Sequence, residues 1–139
     1  MLKARVKWVE GLQFVGSPPS NNAIVMDSST KGGGADSAVH PGELVLLALA
    51  GCTGMDVISI LQKMRQEVHD FQVRIEAEAA EEHPKAFRRI KVSYYVRGKD
   101  IQKDKLLHAI ELSQTKYCSV SATLKSEVKI DWDFEIAGE

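Results

Sequence analysis

The chemistry open to this chain begins with sulfur. It has two cysteines, Cys52 inside the apolar run LVLLALAGCTGMDVISIL and Cys118 in YCSVSATL, far along the sequence. A thiolate is a nucleophile and a metal ligand, and two thiols can cycle between dithiol and disulfide. A cysteine in an apolar helix is also a small hydrophobe, since free cysteine is among the most buried residue types. Gly51 and Gly54 flank Cys52. Glycine inside a helix costs about 1 kcal/mol relative to alanine, so two of them beside one thiol need a cause. Close helix packing and access to the sulfur both supply one, and the residues alone leave the two open. Cys118 is expected at the start of a short helix, where unpaired N–H groups favour a thiolate. A cysteine that seals a turn between helices is the alternative.

Glu43 is a further candidate. It lies about two and a half turns before Cys52 on the same expected helix, so the two side chains point to nearly opposite faces. A carboxylate in the first helical turn also complements the helix dipole without any catalytic part. The histidines, His40, His69, His83 and His108, stand at no metal-ligand spacing, and neither cysteine belongs to a C-x-x-C. No metal centre and no cofactor is therefore expected. The glycines Gly32 to Gly34 lie between a strand and a helix, but no G-K-[ST] follows and there is no G-x-G-x-x-G. There is likewise no G-x-S-x-G of a serine hydrolase.

Composition narrows the classes. With 139 residues, 44% hydrophobic and 27% charged, the chain suits one soluble globular domain over residues 1–139. A net charge of -1 gives no basic excess for nucleic acid. The N-terminal MLKARVKW lacks the apolar core of a signal peptide. The run Leu44–Ala50, bracketed by Glu43 and Asp56, is shorter than the roughly 20 residues that span a bilayer, so no membrane association is expected. A cytoplasmic location follows as the expectation, with the thiols free or a functional pair.

These groups need a scaffold. In KARVKWV, Ala4, Val6 and Trp8 alternate with charged residues, the pattern of a half-buried strand. LQFVG and AIVMD continue as strands, with Ser17–Asn22 as turn chemistry. Residues 28–40, rich in glycine and small polar side chains, read as a long mobile loop. A helix starts near Pro41 and runs to about Arg65; its first half is apolar all round and is expected to be buried all round. FQVRIEAEA and RIKVSYYVRG pair as a hairpin. A short helix over Asp104–Thr115 carries Leu106, Ala109, Ile110 and Ser113 on one side, and SVSATLKS supplies another turn or two. EVKIDWDFEI closes the chain as a strand. Clean alternation predicts antiparallel sheets with helices on one side. The order βββ–α–ββ–α–β is that of an α+β fold around a long central helix.

HPGELVLLALAGCTGMDVISIL followed by YCSVSATL resembles the OsmC/Ohr family of osmotically inducible and organic-hydroperoxide-resistance proteins, and the P-x-E-L-x-L-x-x-L-x-G-C-T run resembles its YhfA-type OsmC-like branch. The resemblance extends over nearly the whole chain. It implies an intertwined homodimer with sites at the subunit interface and a role in oxidative or osmotic stress. It implies that Cys52 attacks an organic hydroperoxide, that Cys118 resolves the resulting sulfenic acid, and that a dithiol reductant restores the pair. It also implies an arginine from the N-terminal strands and Glu43 as activating partners. Two departures stand out. Arg5 is the only arginine before Cys52, and Glu43 comes one place later than the family pattern, with Gly42 directly after Pro41. The expected Cys52 pKa is therefore near or above the unperturbed value of about 8.5, with slow turnover little changed by Arg5→Ala. The alternative reading is a non-enzymatic dimer that binds a small apolar or electrophilic ligand near Cys52.

Overall fold

The computed structural model describes residues 1–138. The chain forms two compact units, Met1–Val45 and Leu46–Glu139. Each is built around its own three-stranded sheet.

In the first unit, β1 (Arg5–Glu10), β2 (Gln13–Ser17) and β3 (Ile24–Met26) pair antiparallel in the order β1-β2-β3. Gly11 turns the first hairpin at φ 54°, a value that glycine adopts without steric cost. The alternation of β1 is present, but its apolar side is not covered: Val6 is 57% exposed and Trp8 61%. This corrects the half-buried strand that the pattern predicts.

The glycine-rich segment after β3 is closed around one carboxylate. Asp27 is buried and accepts hydrogen bonds from the backbone N–H groups of Ser28, Ala35 and Ser37 and from the Ser37 hydroxyl, the last at 2.6 Å. A side chain on Gly34 would run into the Ser28 carbonyl and the Asp27 carboxylate, so only glycine permits the wrap. The loose loop expected from composition is instead a hydrogen-bonded one. Those four donors, the Ser37 hydroxyl first, hold the Asp27 carboxyl down at about 2. A depressed carboxylate contributes stability above its unfolded value of about 4, and that contribution is lost as pH falls toward 2. Asp27→Asn is expected to flatten the acid limb of a pH–stability curve between those values. An unchanged acid limb would contradict this role.

Helix α1 (Pro41–Lys63) begins at His40, whose N–H donates to the Glu43 side chain at 2.8 Å. That is the returning half of a capping box. The helix runs from the first unit into the second. Its length and mean hydropathy of 2.1 would allow a membrane span, more than the run Leu44–Ala50 suggests by itself. However, Leu49, Thr53, Val57 and Leu61, spaced at i, i+4, are enclosed in the second unit's core. Val45 and Leu47 stay exposed, so the all-round burial predicted for the first half is not met within one chain.

The second unit adds β4 (Glu67–Ala79), β5 (Phe87–Lys99), α2 (Lys103–Leu112), a π-turn (Ser113–Tyr117), α3 (Ser119–Leu124) and β6 (Lys129–Ala137). Strand β5 is central: it pairs antiparallel with β4 and parallel with β6. The parallel pair corrects the wholly antiparallel expectation. Alternation fixes which face is buried but not strand direction, and the helical crossover between β5 and β6 supplies the length a parallel return needs. Ile90, Val92, Tyr94 and Val96 on β5 pack with Leu106, Ala109 and Ile110 of α2 and with the buried face of α1. Each valine, leucine or isoleucine among them, fully buried, stabilises the fold by about 1.5–3 kcal/mol.

Candidate functional site

Cys52 lies mid-way along α1, and Cys118 ends the π-turn and caps α3. The π-turn sets the second position. The Cys118 N–H reaches the Ser113 carbonyl five residues back at 2.8 Å, and Cys118 leaves the helical conformation at ψ 101°. Its sulfur accepts the Ser121 N–H at 3.3 Å, the usual geometry of a capping side chain. Both thiols are free, Cys118 buried and Cys52 partly exposed. Their sulfurs lie within 4.8 Å of each other and of a carboxylate oxygen of Asp56.

Two electrostatic environments result. Burial pushes the Cys52 thiol up, but the Val120 backbone N–H, the Cys118 thiol and the Ser119 hydroxyl (3.9 Å from the sulfur) together outweigh it, and its pKa falls below the ordinary thiol value. Burial raises Cys118 to about 11, against the single Ser121 N–H. The first proton to leave the pair therefore leaves Cys52. Two expectations are modified. For Cys52, expected near or above the unperturbed value, the direction is downward, because groups at the start of α3 serve its sulfur. Cys118 stands at that helix start as predicted, yet gains no thiolate from it. Among the described residues, the main groups acting on Cys52 are Val120, Cys118, Ser119 and Asp56, with no arginine in that set. Alkylation of Cys52 followed by peptide mass spectrometry is expected to rise with pH to a midpoint below that of an ordinary thiol. Cys118 should stay unmodified until far more alkaline pH. A Cys52 midpoint above the ordinary value would contradict the assignment.

The glycines beside Cys52 divide between the two readings. A Cβ on Gly54 would press on Val73 at 3.3 Å, so its absence serves packing against β4. A Cβ on Gly51 would meet nothing within 4 Å, so packing does not account for that glycine. Glu43 is engaged at the helix N-terminus, 2.8 Å from the His40 N–H and 3.7 Å from its imidazole Nδ1.

A buried polar network supports the thiols. The Thr53 Oγ1 lies 2.6 Å from the Tyr94 hydroxyl and 2.7 Å from the Ser113 hydroxyl, which donates to Asp56 at 2.8 Å. Gln114 donates to Tyr94 at 2.8 Å and accepts from Ser121 at 3.0 Å. Thr53, Tyr94, Ser113 and Ser121 are all buried. The chain that begins at Asp56 thus ends at the residue whose N–H holds the Cys118 sulfur. Asp56 also lines an open cleft of about 580 Å³ with Met55, Ile60, Lys63, Leu112 and Tyr117. Sequence reasoning treated Asp56 only as a charge bracketing an apolar run. Its position one turn after Cys52 was the signal, because i and i+4 share a helix face. Ser113 in an apolar stripe and a tyrosine on the inner face of β5 were signals of the same kind, since a buried hydroxyl needs a partner.

Comparison with known proteins places this arrangement. The model of the OsmC-like protein family matches residues 33–133, and the chain belongs to the OsmC-like family. Protein YhfA of Escherichia coli (strain K12) is 43% identical over 135 residues, which is 97% of this chain and 98% of that protein. A solved structure of a hypothetical protein from Aquifex aeolicus VF5 superposes with a TM-score of 0.86 at 27% identity, covering 100% of this chain and 98% of that one. The organic hydroperoxide resistance protein OhrB of Bacillus subtilis shares the fold, with a TM-score of 0.62 at 14% identity over 97% of this chain and 98% of its own.

Proposed function

We propose that this chain is a dithiol-dependent hydroperoxide reductase of modest rate, acting through Cys52 and Cys118 in a single OsmC-like domain. The observation that carries the reading is the pairing of a lowered, partly exposed thiol with a raised, buried one whose sulfur is within 4.8 Å. In the first step the Cys52 thiolate attacks the terminal peroxide oxygen. The O–O bond breaks, the alcohol leaves with a proton, and Cys52 becomes a sulfenic acid. In the second step Cys118 loses its proton and attacks that sulfur. An S–S bond forms, the S–O bond breaks, and water leaves. A dithiol reductant returns both thiols by two exchanges. The S–S bond is about 2.05 Å long, so the sulfurs close the remaining gap by a local shift.

Other elements of the reading follow from the same residues. In the reduced pair, burial keeps Cys118 protonated while Cys52 ionises, so Cys52 is the attacking thiol and Cys118 the resolving one. The Asp56 carboxylate opposes both thiolates, which points to a modest rate. Glu43 acts at a distance in this reading, by fixing the start of α1. The relatives named for organic hydroperoxide resistance support an organic hydroperoxide as substrate, and a dithiol cycle suits a reducing cytoplasm. Steady-state turnover of an organic hydroperoxide with a dithiol reductant tests the function. Turnover no faster than the reductant alone would leave the ligand-binding alternative in its place.

The chain is also proposed to be a homodimer. Val6, Trp8, Leu47, Met55 and Tyr117 are each more than half exposed, an excess of bare apolar area for a small soluble chain. Light scattering at micromolar concentration should give twice the chain mass of 15.4 kDa. A stable folded monomer would contradict the proposal.

A further inference from the structure

A carboxylate beside two thiols is poorly suited to redox chemistry alone. The Asp56 oxygen and the sulfurs of Cys52 and Cys118 all lie within 4.8 Å of one another. Its negative charge works against a thiolate at either cysteine. A cation at the centre of the three would reverse the sign of that arrangement. Cys52 and Asp56 are spaced i, i+4 on α1, the spacing by which one helix presents two ligands to one ion. Cys118 supplies the third from the end of the π-turn.

Each of the three side chains also receives a hydrogen bond. Val120 N–H and the Ser119 hydroxyl serve Cys52, Ser121 N–H serves Cys118 at 3.3 Å, and the Ser113 hydroxyl serves one Asp56 oxygen at 2.8 Å, leaving the other oxygen for a ligand. This is the outer layer that orients ligands around a bound metal. Ser113 is itself fixed by the buried Thr53, so the carboxylate is held from behind.

We propose that the reduced protein binds one thiophilic divalent cation of the zinc type through Cys52 Sγ, Cys118 Sγ and an Asp56 oxygen, with the fourth position open. Zinc–sulfur bonds of about 2.3 Å in a tetrahedral site place neighbouring donors about 3.5–3.8 Å apart. Donor atoms already within 4.8 Å need to draw in by up to about 1.3 Å to reach that geometry. Binding releases the thiol protons, and the two thiolates and the carboxylate then surround a charge of +2. Metal and disulfide exclude each other, because each uses both sulfurs. The inference concerns the reduced protein without peroxide, so it stands or falls apart from the hydroperoxide reading.

The test is titration of the reduced chain with Co²⁺ under anaerobic conditions, followed by displacement with Zn²⁺. Expected are one Co²⁺ per chain, a sulfur-to-cobalt charge-transfer band and four-coordinate ligand-field bands. Iodoacetamide on the native chain should abolish the bands without any substitution, and so should Cys52→Ser and Cys118→Ser. Asp56→Asn keeps the size of the side chain and an oxygen for Ser113, and is expected to weaken binding by at least tenfold. No charge-transfer band at stoichiometric Co²⁺ would overturn the proposal. Binding by Asp56→Asn as tight as the parent's would overturn the three-ligand site.

Discussion

Replacing Cys52 with serine is expected to remove dithiol-dependent hydroperoxide turnover to the limit of detection. A serine hydroxyl stays protonated where the thiol of Cys52 is lowered by the Val120 N–H and its neighbours, and it has no route to a sulfenic acid or a disulfide. Cys118→Ser is expected to behave differently. The first step remains and consumes one equivalent of peroxide per chain, a second equivalent goes into over-oxidation, and catalytic turnover stops. The Cys52 sulfenic acid has no partner thiol there, and excess peroxide carries it on to sulfinic acid. Comparing the peroxide consumed by the two variants checks both roles. Sustained turnover by Cys118→Ser would assign resolution to the external reductant.

A second large effect is expected at Thr53, which does no chemistry. Thr53→Val conserves shape but deletes the oxygen that lies 2.6 Å from Tyr94 and 2.7 Å from Ser113. Both neighbours are buried and would each lose a partner. Weakening such a network costs about 1–3 kcal/mol per group left short of partners. Denaturant unfolding should show a loss of that size. It should also show a smaller loss for Tyr94→Phe, which removes a polar atom together with its need for partners. Equal, negligible changes in the two variants would mean that the network does not hold the π-turn and α3 in place.

Much of this fold was legible because periodicity reports burial. The alternating face of β5 was readable from spacing, and it lies in the core. So was the short helical turn after Cys118. What spacing does not encode is direction and neighbourhood. Strand β6 alternates equally well parallel or antiparallel, and the crossover through α2 and α3 decided the matter. The exposure of Val6, Trp8 and Leu47 was hidden for a similar reason. An apolar face asks for a cover, but sequence does not say whether the same chain provides it.

The candidate site divides along the same line. The two cysteines were identifiable as residue types, and the structure brings their sulfurs together. Their relative acidity was not identifiable, because it depends on which sulfur receives the Val120 N–H and the Ser119 hydroxyl. Those groups follow Cys118 in sequence but serve Cys52 in space. Asp56 was passed over because a single charge in an apolar run reads as a boundary. Only the fold shows it beside both thiols, held there by Ser113.

The most direct test of the central claim is peptide mass spectrometry after one equivalent of an organic hydroperoxide, with no reductant present. The account predicts an intrachain disulfide joining the Cys52 and Cys118 peptides as the main product. Sulfinic acid on Cys52 with Cys118 still a free thiol would contradict it, because two sulfurs that close together should condense before a second peroxide arrives.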